Sequence, residues 1–261
     1  MKRLLSSVLP LVFLTPLFGA APEAPAPAGG PAAEGSPSAT ACVYQFKGDV
    51  QLLEPGARSW LTLKSAVPLK EGTRLKTGPG AWCQLLAGDG TFINLYENSE
   101  TVVDTLRLGK DSRDYGFNFI KGRILWMAAK LKHKMSKFKI RTPSAVCAVR
   151  GTDFTIDVTS ATADIGLFEG QLDITSEGRE TTLSAGSEAV VEPGAGVQVS
   201  DRLSKFMKAE QRRYLKLKKH ADNLRLKLEA RENFIDEFVQ AQQKKLKDFE
   251  DRRQEKLNNR K

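Results

Sequence analysis

The stretch of sequence that decides the fold is residues 138–158, FKIRTPSAVCAVRGTDFTIDV. In its first part, apolar and charged residues alternate, which is the period of a half-buried β-strand. Pro143 then interrupts the strand, because proline has no backbone N–H to donate to a neighbour. The small apolar residues at 145–149 predict a segment that is covered on both faces. After an Arg-Gly turn the alternation resumes, so the stretch predicts three short strands separated by turns.

This stretch resembles the signature of the FecR domain, which is found in exported bacterial proteins. The signature residues are Arg141, Thr142, Pro143, Val149, Arg150, Gly151, Thr152 and Phe154. Weaker matches occur in the same order on both sides of it, among them Thr77-Gly78-x-Gly80, Asn98-Ser99, Lys121-Gly122-Arg123 and Leu183-x-Ala185-Gly186. The resemblance covers about residues 43–198 and implies a β domain.

The resemblance also implies a role in signal relay, since well-known FecR proteins pass a ligand signal from an outer-membrane transporter to a sigma factor. In this sequence, however, the extension follows the domain, and we expect no anti-sigma segment before it. Sensing of iron dicitrate is therefore not expected. Within the signature, Arg150 is interpreted as a structural clamp that binds backbone carbonyls or pairs with Asp153, in preference to a ligand contact.

The fold class is predicted from turns that recur every 8 to 12 residues or so. Asp89-Gly90 and Glu177-Gly178 each separate two alternating segments, as hairpin turns do. We expect a mainly β fold, an antiparallel sandwich or roll of short strands, within residues 42–200. The expected core residues are Val50, Leu75, Leu85, Ile93, Leu95, Ile124, Trp126, Ile140, Val146, Phe154, Ile156 and Leu172. A helical turn at residues 125–131 stays open as an alternative.

The N-terminal segments indicate export. Residues 1–20 have two basic residues, an apolar run and small residues after it, which is the layout of a secretory signal peptide. The alternative is an uncleaved membrane anchor. Residues 21–41 are rich in Pro and Ala and predict a disordered linker. We therefore expect an exported protein of the periplasm or cell envelope.

The last segment, residues 201–261, changes to a helical period. Its apolar residues follow a three-and-four spacing that predicts a long amphipathic helix or coiled coil. Glu210 and Arg231 interrupt this stripe, which favours an imperfect coiled coil or a helix that folds back in two pieces. Such a helix needs a surface for its stripe. We expect that surface to be a partner, the helix itself or the sheet.

The tail also carries most of the net charge, with 19 Lys and Arg against 11 Asp and Glu, so +8 of the chain's +9. A solvated helical face is the favoured interpretation. The alternative is contact with an anionic envelope polymer or lipid surface. The candidate contacts are Lys130, Lys132, Lys134, Lys137, Arg212, Arg213, Lys216, Lys218 and Lys219. Nucleic acid is not expected, because exposed aromatics do not alternate with these cations.

Catalytic, metal and cofactor sites find little support in the sequence. Cys42, Cys83 and Cys147 are interpreted as buried hydrophobes in preference to a disulfide, and their spacing fits no metal site. His133 and His220 lie among lysines and are expected to be exposed. We therefore predict no cofactor and no enzymatic activity.

Three hypotheses follow. The first is a non-enzymatic envelope module, sensory or regulatory, that binds a protein or polymer partner. The second is a scaffold that self-associates through residues 201–261. The third is a hydrolase of envelope polymers, for which only His133, Asp153 and Asp157 are candidate catalytic residues.

Overall fold

The structure is a computed structural model. It describes residues 39–109, 112–129, 135–149, 151–231 and 233–259. The predicted signal peptide and most of the predicted linker lie outside the described residues. Within the described part of the chain, no helix is both long and apolar enough to cross a membrane.

The described residues form a mainly β fold followed by two helices, as predicted. The first strands are β1 (Ala41–Lys47), β2 (Val50–Leu53), β3 (Leu61–Thr62), β4 (Val67–Pro68), β5 (Arg74–Thr77), β6 (Trp82–Ala87), β7 (Phe92–Leu95) and β8 (Glu100–Leu108). The next are β9 (Ser112–Met127), β10 (Met135–Arg141), β11 (Val146–Val149), β12 (Asp153–Thr159), β13 (Thr162–Glu169), β14 (Gln171–Ser176), β15 (Arg179–Ser184), β16 (Glu188–Glu192) and β17 (Gly196–Ser200). The helices are α1 (Lys205–Ala230) and α2 (Phe234–Asn258). Both predicted hairpins are present, as β6–β7 and β14–β15.

These strands form two sheets that share the long strand β9. The first sheet has the order β4-β1-β6-β7-β9-β12-β13-β16-β17. The second sheet has the order β3-β2-β5-β8-β9-β10-β11-β14-β15. β9 passes from the second sheet to the first at Gly122, which has a φ of 89°. Glycine adopts such a positive φ without the steric strain that other residues would have. A Cβ there would lie 2.5 Å from Cα of Ser99.

One strand pair departs from the predicted antiparallel pattern. β10 runs parallel to β9, with Met135 opposite Ser112. The reason is the path of the chain. β9 begins in the second sheet and ends in the first, and the chain then returns to the second sheet beside the first half of β9, so β10 runs in the same direction as β9. The alternative of a helical turn after Leu125 is wrong as far as Met127, which is still in β9.

The main core lies between the two sheets and contains eleven of the twelve predicted core residues. Val146 is the exception, since it is half-buried while its neighbour Cys147 is fully buried. The run at residues 145–149 was expected to be covered on both faces, but it is covered on one. It belongs to the second sheet, and the described helices pack on the first.

The helices form a third layer on the outer face of the first sheet. The apolar residues of the sheet that they cover include Leu86, Phe92, Leu125, Met127 and Phe168. The helical residues in the same cluster include Met207, Tyr214, Ala221, Leu224 and Ile235. α1 begins where the Ser204 side chain accepts a hydrogen bond from the Met207 N–H, and it ends at Arg231, which has an extended backbone. Of the surfaces proposed for the helical stripe, the sheet is therefore the one that the structure shows.

α1 is also held by a polar contact at its C-terminal half. The guanidinium of Arg225 donates to the carbonyls of Gly90, Met127 and Ala128 at 3.1, 3.2 and 3.0 Å. These carbonyls belong to the β6–β7 hairpin and to the end of β9. Because a guanidinium supplies several donors in a fixed plane, this contact fixes the position of the helix along the sheet.

Candidate binding cleft

A row of large or charged side chains crosses the first sheet near one end. The row follows the order of neighbouring strands in this sheet. Its members are Trp82 in β6, Tyr96 directly after β7, Arg123 in β9, Asp157 in β12 and Asp164 in β13. In the strand register, Arg123 lies opposite Asp157, and Asp157 lies opposite Asp164. The Tyr96 N–H donates a hydrogen bond to the Arg123 carbonyl at 2.9 Å. The strand residues beside them, Cys83, Leu95, Ile124 and Ile156, are buried between the sheets. Because strand side chains alternate, the row faces the helical layer.

Four residues of the row, together with Arg213 of α1, line an open cleft of ≈600 Å³. Its walls include Trp82, Tyr96 and Val158, and its charged residues include Lys121, Arg123 and Arg213. A volume of this size lies within the range of about 300–1,000 Å³ that small-molecule sites occupy. We call this space the corner cleft, because it lies where β9 turns from one sheet into the other.

Arg123 joins the sheet to α1 at this cleft. Its Nε lies 3.0 Å from Oδ2 of Asp157, and its Nη1 lies 2.9 Å from Oε1 of Glu210. The same Glu210 oxygen also accepts from Arg213, and the Arg123 guanidinium lies 4.7 Å from the ring centre of Phe206. Glu210 is only 1% exposed, so its charge needs these partners. The residue that interrupts the helical stripe is therefore bound to the sheet.

Two buried polar atoms beside the cleft have no hydrogen-bond partner among the described residues. They are the hydroxyl of Tyr96 and Oε2 of Glu210. Burial raises the pKa of Tyr96, and the nearby Glu210 carboxylate raises it further. The phenol therefore stays protonated at neutral pH and remains a hydrogen-bond donor. Six other buried side-chain atoms of the described residues also lack a partner, so this pair does not by itself mark a site.

Several FecR-like motif residues outside the signature support the cleft from behind. The Thr77 hydroxyl donates to the Tyr96 carbonyl at 2.6 Å, and the Ser99 hydroxyl donates to the Arg123 carbonyl at 3.0 Å. Gly122 lies against Ser99 too closely for any side chain. These contacts fix the backbone from which Tyr96 and Arg123 project. The motifs were noticed in the sequence, but their convergence depends on the sheet register.

The signature itself lies away from the cleft. Arg141 and Pro143 are exposed, and Thr142 closes a turn in which its hydroxyl accepts from the Ala145 N–H at 3.0 Å. The other described members are packed or in a turn: Val149, Thr152 and Phe154 are buried, and Gly151 has a φ of 67°. Arg150 lies outside the described residues. Its predicted partner Asp153 accepts from Tyr214 at 2.9 Å and from Lys218 at 3.1 Å.

The described residues among the predicted anionic contacts lie in three settings: paired internally, in the cleft, or exposed elsewhere. Lys218 is internally paired, with Nζ 2.7 Å from Glu169 and 3.1 Å from Asp153, and Arg213 lines the corner cleft. The exposed members at other places are Lys137, Arg212, Lys216 and Lys219. The remaining ones, Lys130, Lys132 and Lys134, lie outside the described residues. Contact of the exposed ones with a polymer stays a prediction.

The histidine expectation needs a correction. His220 is half-buried, with its ring centre 5.9 Å from those of Tyr44 and Phe92, where exposure was expected. Burial lowers its pKa, and Lys227 lowers it further. His220 lies on the face of α1 that packs on the sheet. The lysines beside it in the sequence gave no indication of this orientation. His133 lies outside the described residues.

The cysteines are all buried and free, and the described residues contain no group of three or more metal-ligating side chains. Burial raises the pKa of the Cys42 and Cys147 thiols to about 12, with Asp236 adding to the effect at Cys42. The thiols are therefore protonated and unreactive at neutral pH.

A second surface lies at the C-terminal end of α2. Every residue from 247 to 259 is exposed, although Phe249 and Leu257 lie on the stripe that packs against the sheet earlier in the helix. We call residues 247–259 the exposed end of α2. At 1.5 Å per residue it is about 20 Å long. An exposed ion pair of Glu250 and Lys64 joins it to the β domain, with 3.4 Å between Oε1 and Nζ.

Comparison with known proteins gives one family match. The family model described as FecR protein matches residues 73–173. Two crystal structures of a candidate anti-sigma factor from Parabacteroides distasonis ATCC 8503, at 1.65 and 2.50 Å resolution, align with a TM-score of 0.42 and 15% sequence identity. The alignment covers 49% of this chain and 59% of that one, so the chain spans less than two thirds of its length. No curated protein matches significantly.

Proposed function

The chain carries a FecR domain, and on that premise we propose that it is an exported, non-enzymatic module of the cell envelope that binds a protein partner. In this proposal residues 1–20 serve as the signal peptide and the segment from residue 21 up to β1 as the linker, one residue shorter than expected, because Ala41 already belongs to β1. The FecR match supports a sensory or regulatory role. The partner contact is assigned to the exposed end of α2.

The observation that carries this proposal is a contrast within one helical stripe. Ile235 and Val239 are 4% and 6% exposed against the sheet, whereas Phe249 and Leu257 are 59% and 51% exposed. Large aromatic and aliphatic side chains of this kind are the usual anchors of helix-in-groove recognition. An isolated helical end of this length is marginal in water, so a partner groove stabilises it.

The charges around this stripe favour a protein partner over a uniformly anionic polymer. Residues 247–259 contain Lys247, Arg252, Arg253 and Lys256 but also Asp248, Glu250, Asp251 and Glu255, so the two signs balance. A balanced, interspersed pattern provides matched pairs across a protein interface. A polymer of one sign would meet as many repulsive as attractive groups.

The non-enzymatic part of the proposal is supported by the pairing within the corner cleft. Its guanidinium groups are matched with carboxylates, as in Arg123 with Asp157 and Glu210. Matched pairs of this kind hold a shape, whereas covalent hydrolysis requires a nucleophile beside a base. Of the hydrolase candidates, Asp153 is bound to Tyr214 and Lys218, and Asp157 to Arg123.

The second candidate function is a scaffold of identical chains, which the same exposed stripe supports. One experiment separates the two. A photo-crosslinking amino acid is placed at Phe249 in the full-length protein, and the protein is irradiated in the cells that naturally produce it. The matched control carries it at Asp251, which is also exposed but faces the opposite side of the helix.

A discrete adduct from position 249 but not from 251, with a mass that shows a different protein, supports the proposal. An adduct between two copies of this chain supports the scaffold instead. Equal adducts from both positions, or none from 249, contradict the docking of a partner on this stripe.

A further inference from the structure

A further surface lies on the outward side of α1, and it stands independently of the protein partner on α2. α1 contains nine Lys and Arg against three Asp and Glu, which gives a net charge of +6. α2 contains six of each kind and has no net charge. The positive charge of the helical layer therefore belongs to α1.

The cations of α1 divide into two groups. Arg213, Lys218 and Arg225 are bound to carboxylates or backbone carbonyls. The other six are exposed, and no ion pair joins them to another described residue. They are Lys205, Lys208, Arg212, Lys216, Lys219 and Lys227. Their charges therefore stabilise no contact within the described part of the chain.

The six exposed cations lie on one side of the helix. The first five follow each other at intervals of three or four residues, which places them on one face. That face is opposite to the buried residues Met207, Tyr214 and Ala221, so it points away from the sheet. From Lys205 to Lys227 it is about 33 Å long at 1.5 Å per residue. We call it the outer face of α1.

None of the three carboxylates of α1, a helix that the structure describes in full, lies among these cations. Glu210 is buried on the other side of the helix. Asp222 lies at the edge of the outer face, where it pairs with Arg225 at 2.8 Å, and Glu229 follows seven residues later at the same edge. The outer face is therefore cationic along its length.

Two large apolar side chains accompany the cations. Leu215 and Leu226 are 59% and 64% exposed. Lys219 lies four residues after the first and seven before the second, so all three share one side of the helix. A face that meets only water gains nothing from the exposure of two leucines, because their contact with water is unfavourable.

Cations and apolar side chains on one helical face match a lipid surface with negative headgroups. Helices that lie on such a membrane place their cations at the headgroups and their apolar side chains at the boundary of the acyl chains. Lysine suits this position, since its apolar stem can lie deeper than its charged end. A hydrophilic polyanion would neutralise the cations but would offer Leu215 and Leu226 no apolar contact.

We propose that the outer face of α1 lies on an anionic lipid bilayer, with its six cations at the headgroups and Leu215 and Leu226 at the boundary of the acyl chains. α2, in the same layer, does not oppose this contact through its net charge, which is zero. The β domain lies on the side of α1 that faces away from the lipid.

The test measures co-sedimentation of the full-length protein with vesicles. One set of vesicles is phosphatidylcholine alone, and the other is an equimolar mixture with phosphatidylglycerol. We expect binding to the mixed vesicles that weakens as salt is added, because salt screens exposed charges. Binding to phosphatidylcholine alone should be at least about a hundredfold weaker, since each cation near an anionic surface strengthens binding about fivefold.

One pair of variants tests the cations. Arg212→Gln combined with Lys216→Gln should weaken binding to the mixed vesicles about twentyfold, because two cations are lost. The matched control combines Lys139→Gln with Arg141→Gln, which removes one lysine and one arginine from exposed positions on β10. This control should bind the vesicles like the unchanged protein.

A second pair of variants tests the leucines. Leu215→Ala combined with Leu226→Ala should weaken binding about fivefold or more, because less apolar surface leaves water. The control combines Leu61→Ala with Leu257→Ala, two leucines that are 53% and 51% exposed elsewhere. All these side chains are exposed, and melting temperatures from circular dichroism check that the variants fold alike.

Three results would overturn the proposal. They are no binding to the mixed vesicles, equal losses in the two cation pairs, and no loss in the Leu215 and Leu226 pair. Polygalacturonate, a soluble polyanion, serves as a competitor. If it binds as tightly as the vesicles and depends on Arg212 and Lys216 but not on the leucines, the outer face binds a polymer and the lipid proposal is wrong.

Discussion

Deletion of residues 201–261 is predicted to unfold the β domain and not merely to remove a tail. The helices cover Leu86, Phe92, Leu125, Met127 and Phe168, each less than 10% exposed. A buried side chain of this size contributes about 1.5–3 kcal/mol. Exposure of these five alone costs on the order of 10 kcal/mol. That equals the whole stability of a typical domain, about 5–15 kcal/mol.

The matched control is deletion of residues 249–261, which removes part of the exposed end of α2. This shorter deletion uncovers no described side chain of the core and loses one exposed ion pair, Glu250 with Lys64, worth about 0–1 kcal/mol. Its melting temperature should therefore lie within a few degrees of that of the full chain.

The assay is thermal unfolding followed by circular dichroism, together with binding of a hydrophobic dye to the native protein. We expect aggregation, or dye binding without a cooperative transition, for the deletion of 201–261 only. A soluble 1–200 fragment that melts cooperatively near the temperature of the full chain would refute the view that the helices form a third layer.

Two further predictions concern Gly122 and the buried thiols of Cys42 and Cys147. Gly122→Ala should destabilise the protein by more than about 3 kcal/mol in urea unfolding, because its Cβ would meet the Ser99 backbone, whereas Gly178→Ala, with a similar positive φ but open space, should cost about 1 kcal/mol. Similar losses at both would contradict the tight corner. Stability should also fall from about pH 9 upwards, because the unfolded chain releases thiol protons that native Cys42 and Cys147 keep up to about pH 12. Replacement of both cysteines by alanine should flatten this fall, and an unchanged slope would contradict the assignment.

The sequence predicts elements with local signals well. The turn at Asp89-Gly90 and the one at Glu177-Gly178 fix two hairpins, because residues with positive φ at such places leave the chain few other conformations. The alternating segments likewise predict which faces are buried, with Val146 as the exception in the predicted core.

The contacts that build the cleft could not be predicted in this way. Arg123 and Glu210 are 87 residues apart, and a helical stripe indicates that a face is covered but not what covers it. In the sequence, Glu210 interrupts the apolar stripe of the helix. A carboxylate in an apolar helical stripe can break the packing or form a buried ion pair. The position of Arg123 in the fold shows that Glu210 does the second.

One local feature of the sequence indicates that a further layer covers the first sheet. β6, WCQLLA, and β7, FINL, are almost continuously buried, although strands with one solvated face should alternate. A nearly continuous apolar run requires cover on both faces of the sheet. In this chain that cover is α1 and α2, and the same helix that covers the apolar centre supplies Glu210 and Arg213 at the edge. The cleft and the covered face of the first sheet therefore both depend on α1.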